Sequence, residues 1–386
     1  MILSGSSGEE WQMAVDVVKN VAIKGIAAAV PPHIKRSDEY ADMIGEKAVQ
    51  KFIETVGIRQ RHIGDGKIMT SDLCCAAAEE LIGKLQLDRR EIDAVIAVTQ
   101  TGDYIAPAAA CILQERLQLS CDCMAYDIAM GCSGYVYGLY NAAAHLQNGH
   151  IKKILLLVGD SLSYMASPYD HGQMMLAGDA GTATLLEYEA GAADMQFLFR
   201  TIGAGYKSLI VPYGGYKHKY GCAQQKKRED GIIRSDYDTF MDGVEVFKFS
   251  IKEVPASFQD YFKEYESGEA DYDYVIFHQA NRFIIQNIAK RLKIPASKVP
   301  LSLEKYGNTS SATIPLTLCD FFGDKKKEEA FQKKKILMSG FGVGLSVGIA
   351  GLELDPQTCF PVIETDKTFD DRIDELHQNI SSLIEK

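Results

Sequence analysis

The sequence predicts an α/β fold built from two similar halves. The strand-like run Asp93–Gln100 resembles Asp273–Gln279, and Lys152–Gly159 resembles Lys334–Gly340. The members of each pair are separated by nearly equal lengths of chain, 180 positions (273 minus 93) and 182 positions (334 minus 152), as expected for an internal duplication. Short β-rich runs also alternate with helical patterns in each half, which predicts βαβ units around buried, mostly parallel strands.

The helical patterns include residues 71–85 and 283–292, and the halves are expected to occupy residues 21–190 and 191–355. A stretch rich in glycine, tyrosine and charged residues, about residues 198–268, interrupts the second half. We interpret it as an insertion that caps the functional site.

Two terminal segments lie outside the halves, at residues 1–20 and 356–386. The first has one apolar helical face, formed by Trp11, Ala14, Val15 and Val18. The second has an apolar seam at spacings of 4, 3, 4 and 3, which predicts an amphipathic helix: Phe369, Ile373, Leu376, Ile380 and Leu383. Such a tail packs either on its own body or against a subunit or partner.

Composition excludes several function classes. A net charge of -11 without a dominant basic stripe argues against nucleic acid as a partner. Nine cysteines with no regular spacing indicate reduced thiols, and therefore a cytoplasmic protein. The apolar runs are far shorter than the roughly 20 residues of a membrane span, and no second ligand pair supports a metal site.

Cys132 is the strongest candidate for a nucleophile. It follows the strand-like run 124–129 and precedes a helical run rich in small residues, 134–146, so the helix amino terminus is expected to favour the thiolate. Glycines on both sides permit a tight turn and close approach of a substrate. A buried structural cysteine is the alternative.

His278 and Asn308 are the predicted partners of Cys132. His278 ends its strand, where α/β sheets tend to place reacting groups, and Asn308 lies in a polar loop. Cys132 lies 39 positions after Asp93 (132 minus 93) and Asn308 lies 35 after Asp273 (308 minus 273), so a pseudo-twofold relation would bring both to one central site. A thiol, an imidazole and a carboxamide suit covalent acyl chemistry, in which neutral donors stabilise an enolate or oxyanion. The glycine-rich turn 340–344 is expected to supply a backbone amide to an oxyanion hole.

From about residue 21 to residue 355 the chain resembles the 3-oxoacyl-[acyl carrier protein] synthase III family of the thiolase superfamily. The motifs occur in family order: Gly57-Ile-Arg-Gln-Arg-His62, the Cys132 segment, Gly178-Asp-Ala-Gly181, His278-Gln-Ala-Asn281, Gly307-Asn-Thr-Ser310 and Gly340-Phe-Gly. The resemblance implies a duplicated, five-layered α-β-α-β-α thiolase fold, to which the terminal helices would be added, and a homodimer.

The resemblance also implies a decarboxylative condensation without a cofactor. Cys132 would take an acyl group from a thioester of coenzyme A or acyl carrier protein, and His278 and Asn308 would assist loss of carbon dioxide from a malonyl thioester. By the same analogy, the backbone amides of Cys132 and Val343 would form the oxyanion hole, and Phe341 would lie near the reacting centre, in the acyl pocket.

Several positions depart from the family pattern. Lys51 and Thr55 stand where a tryptophan and an arginine contact the coenzyme A nucleotide in enteric-type members, which leaves the donor open. Phe283 replaces an arginine of the carrier-protein site. An acidic carrier protein could still dock on a basic patch, although a solvated charged face is the alternative; the patch comprises Lys248, Arg282, Lys290 and Arg291.

The residue at position 106 is expected to affect the length of the acyl chain that the enzyme accepts. The loop Tyr104–Pro107 aligns with the one that reaches across the family's dimer to line the partner's acyl pocket, and acetyl-selective members have a phenylalanine where Ala106 stands. Removing a ring opens space for several methylenes, each worth about 0.8 kcal/mol when buried, so we expect an acyl substrate longer than acetyl.

The sequence leaves two other functions open. One is acyl transfer to an alcohol or amine without condensation, although such relatives usually change the histidine or the asparagine. The other is a non-catalytic partner that fixes chain length or scaffolds a complex, although such subunits tend to lose the cysteine.

Overall fold

The computed structural model describes residues 13–324 and 332–371. The strands in this part of the chain are β1 Ala14–Val18, β2 Val21–Val30, β3 Ile34–Arg36, β4 Gln60–His62, β5 Ala94–Val98, β6 Met124–Ile128, β7 Lys153–Ser161, β8 Asp179–Tyr188, β9 Met195–Thr201, β10 Leu209–Ile210, β11 Lys226–Lys227, β12 Ile233–Arg234, β13 Phe240–Met241, β14 Tyr274–Phe277, β15 Lys334–Gly342, β16 Ser346–Leu354 and β17 Ile363–Glu364. The α-helices are α1 Ala41–Ile44, α2 Glu46–Val56, α3 Thr70–Leu85, α4 Ala109–Arg116, α5 Gly134–Leu146, α6 His171–Leu176, α7 Gly243–Glu264, α8 Arg282–Arg291, α9 Leu303–Tyr306 and α10 Thr313–Phe322.

Two mixed sheets form the body, and they repeat one topology. The first has the strand order β17-β2-β8-β7-β5-β6, and the second has the order β1-β9-β16-β15-β14. In each sheet one parallel pair, β5 with β7 or β14 with β15, is followed by antiparallel neighbours. The predicted duplication is therefore confirmed.

The acid before each central strand explains part of the sequence repeat. The Asp93 carboxylate accepts hydrogen bonds from the backbone N–H groups of Lys152 and Lys153, at 2.7 and 3.0 Å. Asp273 accepts in the same way from Lys335, at 2.8 Å. Each aspartate thus ties the start of its own strand to the start of the parallel neighbour.

The sheets and helices stack as five layers, α-β-α-β-α. Helices α3 and α4 cover the outer face of the first sheet, and α7 and α8 cover the outer face of the second. Helices α5 and α10 lie between the sheets and contribute to the central core with strands of both. A helix enclosed in this way must be apolar almost all round, and eight of the ten residues of α10 are buried.

The N-terminal helix prediction was wrong. Residues 14–18 form β1, which pairs antiparallel with β9 in the second sheet. Ala14 and Asp16 face outward more than their neighbours, so the residues alternate as strand residues do. Trp11 lies outside the described residues.

The C-terminal segment also contributes a strand. After β16 the chain returns to the first sheet, where β17 pairs in parallel with β2. Phe369 lies in an irregular stretch that packs on the first half, and the rest of the predicted seam, from Ile373 onward, lies outside the described residues. Each terminal strand thus joins the sheet of the half that is remote from it in sequence.

The cap is shorter than predicted. Residues 198–201 belong to β9, and residues 243–264 form α7, whose apolar side chains pack on the second sheet. Residues 202–242 carry the short strand pairs β10–β13 and β11–β12 and make the actual cap. Sequence alone mistook α7 for part of the insertion because α7 has an amphipathic pattern flanked by loops.

We expect Gly181→Ala to destabilise the protein. A methyl group at Gly181 in β8 would lie 2.3 Å from the backbone nitrogen of Cys74 and 2.4 Å from the carbonyl carbon of Leu73, both in α3. Overpacking of this kind costs about 1–3 kcal/mol, measurable as a lower free energy of unfolding in urea.

The matched control is Gly83→Ala in α3 itself, where nothing lies within 4 Å of the added methyl group. Alanine there should stabilise by up to about 1 kcal/mol because it favours the helix. Equal effects of the two substitutions would contradict the close helix–sheet contact.

Candidate active site

Cys132 lies in the turn that joins β6 to α5, and 9% of its surface is exposed. The glycine-rich turn 340–344 passes directly over it, since a methyl group at Gly342 would lie 2.7 Å from the Cys132 sulfur. Gly342 has φ of +152°, a conformation that other residues rarely adopt. Glycine is therefore needed there for both space and backbone geometry.

Burial dominates the electrostatics of this thiol. Burial raises the pKa of Cys132 above its ordinary value, although hydrogen bonding from the Val343 backbone N–H and the Ser310 side chain opposes the effect. Burial is the largest cause of this shift, and the expected effect of the helix amino terminus on the thiol stays a prediction. The backbone N–H of Cys132 also interacts with the sulfur, so both predicted oxyanion donors face the thiol.

His278 follows β14 directly, at the carboxyl end of the strand as predicted, and only 2% of it is exposed. Its Nδ1 lies 2.8 Å from the Thr313 hydroxyl, and its ring meets the Phe341 ring edge-on at 5.5 Å. Burial lowers the pKa of His278 to about 3, against a smaller opposing effect of the Ser310 carbonyl. The imidazole is therefore neutral over the physiological range.

Asn308 is held by its backbone and by its side-chain oxygen. Its N–H donates to the Leu176 carbonyl, and its own carbonyl accepts from Gly178, both at 2.9 Å. Its Oδ1 accepts the Ser310 N–H at 2.8 Å, which leaves the NH2 group as a donor. Asn308 and Cys132 line the same cavity.

Ser310 joins the three predicted residues, and sequence reasoning missed it. Its side chain interacts with Cys132, its carbonyl with His278 and its N–H with Asn308. Ser310 is fully buried and has a left-handed φ of +52°. A polar Thr-Ser-Ser run beside a candidate asparagine was the signal that could have indicated it.

Asp160 holds the loop that contains Ser310 and Ser311 by hydrogen bonds, and sequence reasoning missed this residue as well. It is fully buried at the end of β7 and accepts hydrogen bonds from the Ser311 N–H and hydroxyl, at 3.1 and 2.7 Å, and from the Gln100 N–H at 2.9 Å. Burial raises the pKa of Asp160, while these donors oppose the rise. A charged residue at the end of the apolar strand 153–159 was its sequence signal.

The cavity beside Cys132 has a volume of about 330 Å³. Its wall is mostly apolar and comes from the loop after β7, from α6 and from the cap, with the side chains of Leu162, Met165, Ala166, Leu176, Leu209 and Met241. A second, larger cleft of about 810 Å³ shares Gln100, Met165 and Val211 with it. The cavity therefore adjoins a wider opening.

The two residues predicted for the acyl pocket do not line this cavity. Phe341 is 1% exposed and packs against His278 in the core on the outer side of the second sheet. Ala106 lies exposed in the loop between β5 and α4. Its expected contact with the acyl pocket of a partner subunit stays a prediction.

The four predicted docking residues lie on α7 and α8. Lys248 is well exposed and pairs with Glu245 at 2.7 Å, and Arg282 lies 3.5 Å from Glu304. Arg291 donates to the Ile251 carbonyl at 2.6 Å, and Lys290 is exposed. The four residues form a surface patch, but two of its charges, those of Lys248 and Arg282, already lie beside glutamates.

Within residues 13–324 and 332–371, no helix is long and apolar enough to cross a membrane. The same residues contain no group of three or more histidine, cysteine, aspartate or glutamate side chains placed to hold a metal ion.

Comparisons with known proteins agree with this architecture. A family model described as 3-Oxoacyl-[acyl-carrier-protein (ACP)] synthase III matches residues 126–204, and the model of its C terminal matches residues 263–354. The chain is 33% identical over 332 residues to the beta-ketoacyl-[acyl-carrier-protein] synthase III of Syntrophomonas wolfei, covering 85% of this chain and 96% of the relative. Identity to the protein of the same name from Desulfitobacterium hafniense (strain Y51) is 32% over 338 residues, with coverages of 86% and 97%.

Solved structures give the same result. A 3-oxoacyl-(acyl-carrier protein) synthase from Burkholderia xenovorans superposes with a TM-score of 0.85 at 35% identity, covering 92% of this chain and 99% of that one. The predicted thiolase fold is thus confirmed, and the chain belongs to the 3-oxoacyl-[acyl-carrier-protein] synthase III family.

Proposed function

We propose that this protein is a decarboxylative condensing enzyme that joins an acyl group to a malonyl thioester and releases a 3-oxoacyl product. The observation that carries the proposal is the convergence of Cys132, His278 and Asn308 on Ser310. The family relatives bear the name of this reaction. It requires thioesters of coenzyme A or acyl carrier protein and no cofactor.

In the first step the Cys132 sulfur attacks the carbonyl carbon of the acyl thioester, and the bond from that carbon to the donor sulfur breaks. Because burial raises the pKa of Cys132, its proton must leave during the attack, and it ends on the departing thiol. The N–H groups of Cys132 and Val343 bind the oxyanion that forms. An acyl-enzyme remains.

In the second step the malonyl group loses carbon dioxide, and the electron pair of the broken C–C bond forms an enolate. Neutral donors from His278 and Asn308 stabilise its oxygen. The Thr313 hydroxyl donates to the Ser310 carbonyl at 3.0 Å and lies 2.8 Å from Nδ1 of His278. For Nε2 to carry the proton and donate to the enolate, this hydroxyl turns from the carbonyl and donates to Nδ1 instead. The enolate carbon then attacks the acyl carbonyl, the bond from that carbon to the Cys132 sulfur breaks, and the Cys132 thiolate takes up a proton from solvent.

The cavity suggests the acyl substrate. Its apolar wall and volume of about 330 Å³ suit a chain of several carbons better than acetyl. This supports the sequence expectation, although the wall residues differ from those predicted.

The partners belong to the same proposal. An acidic carrier protein would dock on the α7 and α8 face, where Lys248 and Lys290 are exposed. A second copy of the chain would pair along β6, the partly exposed edge strand of the first sheet, because unpaired edges favour such contacts. A cytoplasmic location and the absence of nucleic-acid or membrane partners stay predictions.

Acyl loading is the first test. Wild-type protein incubated with acetyl, hexanoyl and decanoyl thioesters should gain the acyl mass, faster for hexanoyl than for acetyl, because the longer chain buries more apolar surface. Intact-protein mass spectrometry measures the gain. Cys132→Ala should show none, whereas Cys111→Ala, which removes an exposed cysteine, should behave as wild type. Faster loading with acetyl would contradict the chain-length proposal, and a Cys132-independent adduct would contradict the mechanism.

Thr313→Val should impair decarboxylation but spare loading. The substitution keeps the shape of Thr313 but removes the hydroxyl that orients His278, so release of carbon dioxide from a malonyl thioester should fall roughly tenfold, the value of about one hydrogen bond. Thr313→Ser retains the hydroxyl and serves as the control. Unchanged decarboxylation by Thr313→Val would show that this hydroxyl does not set the tautomer.

His278 should make the protein less stable in acid. Its folded pKa of about 3 lies below the unfolded value near 6.5, so its stabilising contribution is complete above pH 6.5 and is lost as the pH falls toward 3. The free energy of unfolding should therefore fall with a contribution of up to about 1.4 kcal/mol per pH unit in this window. Urea unfolding at pH 7, 6, 5 and 4 gives this slope, and it should be smaller in His278→Asn. Identical slopes would contradict the burial of a neutral imidazole.

A further inference from the structure

The segment from Thr365 to Asp371 crosses the first half as an extended strap, beyond residue 354 where the family match ends. Its start is fixed by the Thr365 N–H, which donates to the Val30 carbonyl at 3.0 Å. Its far part is fixed by the Phe369 N–H, which donates to the Asp72 carboxylate at 3.1 Å. Hydrogen bonds from backbone N–H groups thus anchor the strap both at its start and at its far part.

The strap ends on a nearly buried arginine. Arg116, at the end of α4, has 8% of its side chain exposed, and its guanidinium stacks on the Phe369 ring at 4.7 Å. It donates to Asp371 at 2.8 Å and lies 3.5 and 3.7 Å from Asp72 and Asp103. A cation with low exposure and three carboxylate neighbours is a strong attachment point for the strap.

Asp371 also holds the loop that joins β5 to α4. The Tyr104 hydroxyl donates to the second oxygen of Asp371 at 2.9 Å. Residues 104–107 of this loop are exposed, so this bond ties the loop tip to the strap. One carboxylate therefore connects α4, the loop and the C-terminal segment.

The loop and the strap form one wall of the larger cleft. Tyr104, Phe369 and Asp371 line this cleft, which meets the Cys132 cavity at Gln100, Met165 and Val211. An acyl chain too long for the cavity of about 330 Å³ would continue into the cleft and reach this wall. An acetyl group on Cys132 would not.

We infer that the strap sets acyl-chain preference by holding the 102–107 loop in place, with Asp371 and Tyr104 as specificity-positioning residues. This inference rests on the proposed function. Binding of a long acyl chain costs less conformational entropy when the wall is already held in position than when the wall is loose. Loosening the wall therefore weakens the binding of long acyl donors and leaves the binding of short donors unaffected.

Asp371→Ala and Tyr104→Phe test the inference. Both remove the tie, and Asp371→Ala removes one of three carboxylates around a single guanidinium, so the fold should persist. The matched control is Asp366→Ala, an exposed carboxylate of the same strap. Hydrogen exchange of residues 102–107 and loading rates with acetyl and decanoyl thioesters are measured for each.

The two substitutions at the tie should speed exchange in the loop and lower the ratio of decanoyl to acetyl kcat/KM about three- to tenfold, with Asp366→Ala unchanged. Unchanged hydrogen exchange in residues 102–107 would show that the strap does not hold the loop in place. Faster exchange with an unchanged ratio would overturn its role in specificity. Failure of the proposed function looks different, because wild type itself would then form no acyl adduct with any donor.

Discussion

The candidate site depends on the close passage of two backbones around one thiol. The turn 340–344 runs so near Cys132 that Gly342 has no room for a side chain, and Gly340 lies equally close to Ser133. This contact brings the Val343 N–H to the sulfur. It joins the end of β15 in the second half to the start of α5 in the first, so the two halves build the site together.

Burial then decides how the site's polar groups behave. It raises the pKa of Cys132 and lowers that of His278, so both are neutral at rest. Neutral groups suit a reaction in which charge appears only during the chemistry, because preorganised donors in a dry site need little reorganisation. The buried Asp160 carboxylate accepts hydrogen bonds from Ser311 and Gln100, and it thereby orients both residues around the reacting groups.

The terminal segments tie the duplicated halves to one another. The strand β1 precedes the first half but completes the second sheet, and β17 follows the second half but completes the first. Beyond β17 the chain continues to Arg116 and the loop that borders the cleft. Elements outside the repeat thus reach the region where an acyl chain would extend.

The sequence by itself determined the repeat, the central strands and helix α5 to the residue. It also placed Cys132 and His278 after strands and Asn308 in a polar loop. Buried strands and enclosed helices carry their apolar pattern in consecutive residues, so these features are local and readable. Tertiary structure decided the rest. Residues 14–18 became a strand because β9 offered a free edge, and α7 joined the core because the second sheet needed a cover. The cavity wall, the roles of Ser310 and Asp160, and the net effect of burial on Cys132 arise from contacts between segments remote in sequence, and no local pattern records which segments will meet.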